Sequence, residues 1–256
     1  YEAEQVSLRR RVAVKVLQAH LTAQAKSIER FRREAAAASR LQHPAIVPVY
    51  EVGRWPGGQP FYAMKLVRGR AFDQVIAGAS TTAARIALVP HLIAVADALA
   101  YAHSERVIHR DLKPANVMIG PYGETVVIDW GLARNLAEPE TPAALATATT
   151  APPLGPGTTM DGAVIGTPAY MPPEQARGRT LDERADVYAI GAILYHALAG
   201  ARPYAEAHTV AAILERVQAG PPRPLAELAP DVPAELVAIV TKAMAPRVDD
   251  RYPSAE

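Results

Sequence analysis

Cysteine is missing from all 256 residues of this chain. The segment therefore cannot form a disulfide, a thiolate metal site or a cysteine nucleophile. Neither charge is in excess, because 27 Lys and Arg residues stand against 26 Asp and Glu residues, for a formal net charge of +1. This balance excludes a strongly basic arm of the kind that binds nucleic acid, so we expect no nucleic-acid partner.

Long hydrophobic runs and targeting signals are also missing. The longest apolar helical stretch that we expect, Val187 to Gly200, is too short to span a bilayer and is typical of a buried core helix. We therefore expect no membrane contact within this segment. The polar start at residues 1–5 shows no signal pattern, and we expect the chain to begin inside a longer protein.

The first quarter of the chain predicts a small lobe of strands and one helix. Residues 11–17 alternate between apolar valines and a face that carries Lys15, which indicates a strand. Residues 26–41 have helical composition, and the spacing places Glu34 on the more apolar face, where a carboxylate needs a partner. Two further strands are predicted over residues 46–51 and 60–67.

The remainder predicts a larger, helical lobe. Helices are expected over residues 82–103, 186–199, 210–219 and 232–243. Two short strands over residues 116–119 and 125–129 form a predicted hairpin. Residues 136–162 are rich in Ala, Thr and Pro without periodicity, which predicts a mobile loop.

The residues with the clearest chemistry fall in two runs, His109–Asn116 and 128–131. They supply two Asp, one Asn and one Lys within a short span. Phosphoryl transfer needs such a set, because hard oxygens bind Mg²⁺, a carboxylate accepts the hydroxyl proton and a cation steadies the phosphoryl group.

These runs, with Val12–Lys15 before them and residues 166–174 after them, resemble the protein kinase family. The likeness is strongest to bacterial serine/threonine kinases of the eukaryotic-like type. It implies an α+β fold of two lobes, with an N-lobe over residues 1–67, a C-lobe over residues 68–256 and an activation segment over residues 129–174. It also implies ATP, Mg²⁺ and protein substrates with Ser or Thr acceptors, the activation loop of the protein itself among them. The implied location is cytoplasmic, and the parent protein could be membrane-anchored through another segment.

The resemblance assigns catalytic roles residue by residue. Lys15 matches the lysine that holds the α- and β-phosphates, and Glu34 matches the helix glutamate that pairs with it. Asp111 matches the catalytic base and Lys113 the lysine that contacts the γ-phosphate. Thr167 matches the threonine that bonds the base and shapes the acceptor groove.

Nucleotide and metal positions follow from the same matching. Asn116 and Asp129 match the metal ligands. The adenine ring is expected between Ala13 and Met118. The remaining implied nucleotide contacts are Met64 as the gatekeeper, the Lys65 carbonyl and the Val67 amide.

Three further matches are structural in this interpretation. Glu174 and Arg251 match a buried ion pair at the end of the activation segment, and Asp186 matches the acid that holds the His109 backbone. Trp130 stands where the family usually has Phe, and Ala38 stands where a larger side chain usually packs against it. We expect the indole to fill the volume that Ala38 leaves.

The sequence departs from the family pattern in two other respects, the absence of the glycine-rich phosphate loop and the length of the activation loop. The glycine-rich phosphate loop would lie before Tyr1, so this segment alone is expected to bind ATP weakly. Arg110 precedes the base, which in the family accompanies a phosphorylated loop. Thr159 is the best match to the phosphorylated position, with Thr158 beside it and Asp161 at the position of a second phosphothreonine.

Three alternatives stay open from sequence. The first is a pseudokinase or nucleotide-binding signalling scaffold, which the absent glycine-rich loop favours and the intact polar set opposes. The second is a small-molecule kinase of the same fold, which the peptide-acceptor residues 166–174 oppose. The third is a helical interaction module, which leaves the ordered polar residues unexplained.

Overall fold

A computed structural model describes residues 1–18, 20, 25–130, 133–136 and 167–256 of the chain. The amino-terminal lobe is built on an antiparallel sheet of order β1-β2-β4-β3. Its strands are β1 (Glu2–Gln5), β2 (Arg10–Val16), β3 (Val49–Arg54) and β4 (Pro60–Lys65).

Strand alternation gives this sheet two different faces. Val12 and Val14 are buried on one face together with Ala63. On the other face, the register places Lys15 opposite Tyr62. Residues directly opposite in a strand pair project to the same side, so Lys15 and Tyr62 share one face.

Helix α1 (Ala25–Arg40) covers the face that carries Lys15. Phe31 and Ala35 of the helix are buried in one cluster with Leu17 and Tyr62 of the sheet. Glu34 lies between these two apolar positions along the helix and is itself buried. The helical period that buries Phe31 and Ala35 therefore also carries the Glu34 carboxylate into the sheet.

The two lobes join through backbone hydrogen bonds as well as through the connecting chain after Lys65. Val47 N donates to Val127 O at 3.1 Å, and Val127 N donates to Ala45 O at 2.7 Å. The short strands of the second lobe are β5 (Arg70–Ala71), β6 (Val107–Ile108), β7 (Val117–Ile119), β8 (Thr125–Val127) and β9 (Arg134–Asn135). Strands β5, β7 and β8 form one sheet, and β6 pairs with β9.

Helices are the predominant regular structure in the described part of the second lobe. Their bounds are α2 (Phe72–Gly78), α3 (Thr82–Ile86), α4 (Val89–Ser104), α5 (Pro173–Ala176), α6 (Arg184–Ala199), α7 (Val210–Ala219), α8 (Leu225–Leu228) and α9 (Ala234–Ala243). Helix α6 is buried along nearly all its length. At Gly191 an added Cβ would lie 2.7 Å from the Cβ of Ala243, so glycine is required for the close approach of α6 and α9.

The predicted single helix over residues 82–103 is wrong in one respect, because the chain breaks it between Ile86 and Val89. Pro90 in the first turn of α4 has no N–H to donate, so a continuous ladder cannot form there. The cap is Thr81, whose side chain accepts a hydrogen bond from Ala84 N.

The prediction that Val187 to Gly200 is the longest apolar helical stretch is also wrong. Within the described ranges, Thr82–Ser104, which contains α3 and α4, is long and apolar enough to cross a membrane by length and composition, and an 18-residue window in it reaches a mean hydropathy of 1.6. Core helices of folded domains pass the same test, and α4 buries Val95, Ala98 and Leu99 in the hydrophobic core.

Candidate active site

Lys15 stands at the meeting point of three elements. Its Nζ lies 2.5 Å from Glu34 Oε1 on α1 and 2.8 Å from Asp129 Oδ1, which follows β8. The side chain of Glu34 is 7% exposed, whereas those of Lys15 and Asp129 are 38% and 43% exposed. One cation thus joins a buried carboxylate of the sheet–helix interface to a half-exposed carboxylate of the second lobe.

The charges of this group stabilise one another. Burial by itself would lower the pKa of Lys15, but the carboxylates of Asp129 and Glu34 outweigh it and raise that pKa above its usual value. Burial would likewise raise the pKa of Asp129, but Lys15 outweighs it and lowers that pKa. Lys15 and Asp129 are therefore charged at neutral pH, as phosphate binding by Lys15 would require.

A second polar group lies on the loop between β6 and β7. Lys113 Nζ is 2.9 Å from Asp111 Oδ2, and Asn116 Nδ2 donates to Asp111 O at 2.9 Å. The 3-10 turn Pro114–Asn116 brings the asparagine back towards the aspartate. The structure therefore brings together Asp111, Lys113 and Asn116, all from one run of the sequence.

The backbone of this loop has an unusual conformation, and side chains of α5 and α6 bind it by hydrogen bonds. Arg110 on this loop has φ of 68°, and Asp129, which follows β8, has φ of 60°; both lie in the left-handed region that non-glycine residues rarely adopt. Asp186 Oδ1 accepts from Arg110 N at 3.0 Å, and its Oδ2 accepts from His109 N at 2.8 Å. Gln175 Nε2 donates to Arg110 O at 3.0 Å. These fixed partners maintain the loop conformation.

The two polar groups are joined directly through the backbone. Ile128 N donates to Asn116 O at 2.9 Å, which places Asp129 beside Asn116. A carboxylate and an amide oxygen are hard ligands of the kind that Mg²⁺ takes along with substrate phosphates. The described residues hold no cluster of three His, Cys, Asp or Glu side chains that could bind a metal alone. The donor set thus fits a cation that arrives with a phosphate ligand.

The positions expected to contact adenine divide between the lobes. Ala13 lies opposite Met64 in the β2–β4 register. Met64 and Val67 are partly buried and pack against the large hydrophobic core, whereas Lys65 is exposed. Met118 lies on β7 in the other lobe, opposite Val126. Their roles in nucleotide binding stay predictions.

Several predicted residues cannot be placed. The loop over residues 136–162 lies almost wholly outside the described ranges, which include only Leu136. Thr158, Thr159 and Asp161 also lie outside them. Thr167 begins a 3-10 turn, Thr167–Tyr170, but its side chain is not among those described.

Two residues in contact with the site were missed from sequence. Tyr62 donates its hydroxyl to Glu34 Oε1 at 2.5 Å, and His103 Nε2 lies 2.9 Å from Asp186 Oδ2. The alternating pattern marks Tyr62 as a strand residue, but its place opposite Lys15 is set by the register of β2 and β4 in the structure. For His103 we find no local signal, because its partner is 83 positions away.

The whole chain, residues 1–256, matches the family described as the protein kinase domain. It belongs to the protein kinase family. A serine/threonine-protein kinase PknB of Mycolicibacterium smegmatis is 40% identical over 99% of this chain and 38% of its own length. Serine/threonine-protein kinase Pkn1 of Myxococcus xanthus is 37% identical over 99% of this chain and 34% of its own length.

Solved structures of the family agree with the fold. The crystal structure of the Mycobacterium tuberculosis PknI kinase domain superposes with a TM-score of 0.68 at 28% identity, covering 100% of this chain and 86% of that one. The predicted two-lobe α+β kinase fold and the predicted enzyme class, a serine/threonine protein kinase domain, are confirmed. Membership of the kinase family implies ATP as the phosphoryl donor, protein substrates and a divalent metal. The kinase domain spans well under half the length of the curated relatives it matches.

Proposed function

We propose that the protein transfers the γ-phosphoryl group of Mg-ATP to Ser and Thr hydroxyls of proteins, its own activation loop included. One observation carries the proposal: Lys15 pairs with Glu34 and Asp129 at once, at 2.5 and 2.8 Å. A lysine held between a buried and a half-exposed carboxylate is poised to meet the phosphates of a nucleotide that binds beside it.

The chemistry is assigned to the second polar group. The acceptor oxygen forms a bond to the γ-phosphorus, and the bond from that phosphorus to the β–γ bridging oxygen breaks, its electron pair leaving with ADP. Asp111 accepts the hydroxyl proton. Lys113, 2.9 Å from Asp111, is a cation suited to steady the charge on the transferring phosphoryl group.

The metal is proposed as Mg²⁺, held by Asp129 and Asn116. Bound there with the nucleotide, Mg²⁺ would neutralise phosphate charge. Within the chain itself, Asn116 also donates to Asp111 O, so the same side chain orients the proposed base. Ala13, Met64, Lys65, Val67 and Met118 are proposed to bind the adenine ring, and Thr167 to shape the acceptor groove. We propose that the domain works in the cytoplasm, where ATP and these substrates are available.

The deciding experiment is Asp129→Asn in the complete protein. Phosphate transfer from labelled ATP to casein and to the protein itself should fall at least about a thousandfold, because the amide removes a ligand charge and the partner of Lys15. Asp97→Asn is the matched control, since Asp97 is an exposed aspartate on α4. Transfer that survives Asp129→Asn at the wild-type rate would contradict the proposal. ATP binding without transfer in the wild type would instead favour the nucleotide-binding scaffold.

A further inference from the structure

Tyr62 occupies a central position beneath the proposed phosphate-binding lysine. Its side chain is 3% exposed, and its ring lies 5.2 Å from that of Phe31 on α1. Its hydroxyl donates to Glu34 Oε1 at 2.5 Å, the same oxygen that accepts from Lys15 Nζ at 2.5 Å. A strand residue and a helix residue are therefore linked by a polar contact inside an apolar cluster.

From this geometry we propose that Tyr62 is a positioning residue for phosphoryl transfer, whose hydroxyl fixes the Glu34 carboxylate and through it Lys15. The inference rests on the proposed function, since it concerns how Lys15 is held for the phosphates.

The two donors to Glu34 differ in what else they must do. Lys15 also pairs with Asp129, and in the proposed function its ammonium turns to the phosphates. The Tyr62 hydroxyl is not assigned any contact with the nucleotide in the proposed function. It therefore supplies Glu34 with a donor that stays in place when Lys15 changes partners.

The electrostatics keep this donor protonated. Burial raises the pKa of Tyr62, and the negative charge of Glu34 raises it further. The hydroxyl therefore carries its proton at any pH at which the protein works. A hydrogen bond to a charged, buried acceptor is stronger than one between neutral groups, so its loss should be measurable.

Strand register explains why residue 62 can do this. Lys15 and Tyr62 are directly opposite on β2 and β4, so both side chains point at α1 from the same level of the sheet. The Lys15 Nζ lies 5.9 Å from the centre of the Tyr62 ring. A residue one position along β4 would point to the opposite face of the sheet.

Tyr62→Phe in the complete protein removes the hydroxyl and keeps the ring that packs on Phe31. The matched control is Tyr195→Phe, because Tyr195 is also 3% exposed and donates to a backbone oxygen, Arg223 O at 2.8 Å, away from the proposed site. We expect kcat with casein to fall about tenfold in Tyr62→Phe, which corresponds to about 1.4 kcal/mol, with the KM for ATP changed less than about twofold. Tyr195→Phe should keep the wild-type kcat.

A kcat of Tyr62→Phe equal to that of the wild type overturns the positioning role, while the proposed function stands. An equal loss of kcat in Tyr62→Phe and Tyr195→Phe overturns it too, because it would mean general destabilisation.

A second measurement does not depend on activity. The unfolding constants of Tyr62→Phe, Lys15→Met and the double variant form a cycle that reports coupling through the shared Glu34 oxygen. We expect the change in the unfolding constant of the double variant to differ at least about fivefold from the product of the changes in the two single variants. If the cycle shows coupling but the wild-type protein transfers no phosphate, the proposed function is refuted and the link between Tyr62 and Lys15 is still supported. Purely multiplicative effects overturn that link.

Discussion

Arg251 and Glu174 form a bidentate ion pair across 77 positions of sequence, with Nη1–Oε1 at 2.7 Å and Nη2–Oε2 at 2.8 Å. The Arg251 side chain is fully buried. Its Nε also donates to Ala245 O at 2.8 Å, and its Nη1 donates to Arg184 O at 3.0 Å. The pair thus ties α5, at the end of the predicted activation segment, to the carboxyl-terminal part of the second lobe. It is the pair that the kinase resemblance implied.

Replacing one partner of this pair should lower the free energy of unfolding more than replacing both partners. Arg251→Met leaves a buried, unpaired carboxylate and should lower the free energy of unfolding by about 3–5 kcal/mol. Adding Glu174→Met should recover a large part of that loss, because the uncompensated charge is removed. Urea denaturation of the three proteins provides the measurement. A double variant less stable than Arg251→Met would contradict the interpretation.

Asp186 is expected to control both stability and catalysis. Its carboxylate is 1% exposed and accepts from the amides of His109 and Arg110. Asp186→Ala leaves both amides without this acceptor and should lower the free energy of unfolding by about 3 kcal/mol or more. The kcat should fall as well, because the left-handed Arg110 backbone beside Asp111 loses a support. Asp97→Ala on the exposed face of α4 is the control, and equal effects of the two substitutions would argue against a special role for Asp186.

The stability of the domain should fall between pH 6.5 and 4 because of His196. Burial lowers the pKa of His196 to about 4, and its Nδ1 lies 2.8 Å from the Tyr170 hydroxyl. The unfolded chain, with a histidine pKa of about 6.5, binds the proton more readily, so acid favours unfolding in this window. The slope from this residue is at most about 1.4 kcal/mol per pH unit.

His196→Asn tests the origin of that slope. Asparagine offers an oxygen to the Tyr170 hydroxyl and does not titrate in this range. Denaturation midpoints measured from pH 7 to 4 should fall less steeply in the variant. His91, whose pKa is also lowered by burial, contributes in the same direction and stays unchanged in both proteins. Identical slopes for wild type and variant would exclude His196 as a source.

Trp130 and Ala38 should prove energetically coupled. Both are buried in the same hydrophobic cluster, and the Trp130 ring lies 4.7 Å from that of His109. Trp130→Phe removes volume, while Ala38→Leu adds it, so each alone should destabilise by about 1–3 kcal/mol. The double variant should be more stable than the sum of the two predicts, by about 1 kcal/mol. Additive free energies of unfolding would show that the indole does not fill the space left by Ala38.

Local patterns were sufficient for most of the strands and helices. The valine alternation indicated β2, which runs over Arg10–Val16, and the helical face of Glu34 indicated α1. The break between α3 and α4 was missed because apolar periodicity continues across it, although Pro90 had already removed the needed donor. The true position of β3, Val49–Arg54, is shifted from the predicted 46–51 because its pairing with β4 sets its bounds.

Motif order along the chain was enough to indicate the kinase family and the candidate residues Lys15, Asp111 and Asp129, because the proposed chemistry needs particular side-chain types at fixed spacings. It could not reveal the Tyr62 hydroxyl on Glu34 or the His103 contact with Asp186. Those contacts depend on strand register and on helices that meet from distant parts of the chain. Local sequence patterns do not indicate which distant residues become neighbours. Only the packed tertiary structure therefore decided which donor binds each buried carboxylate.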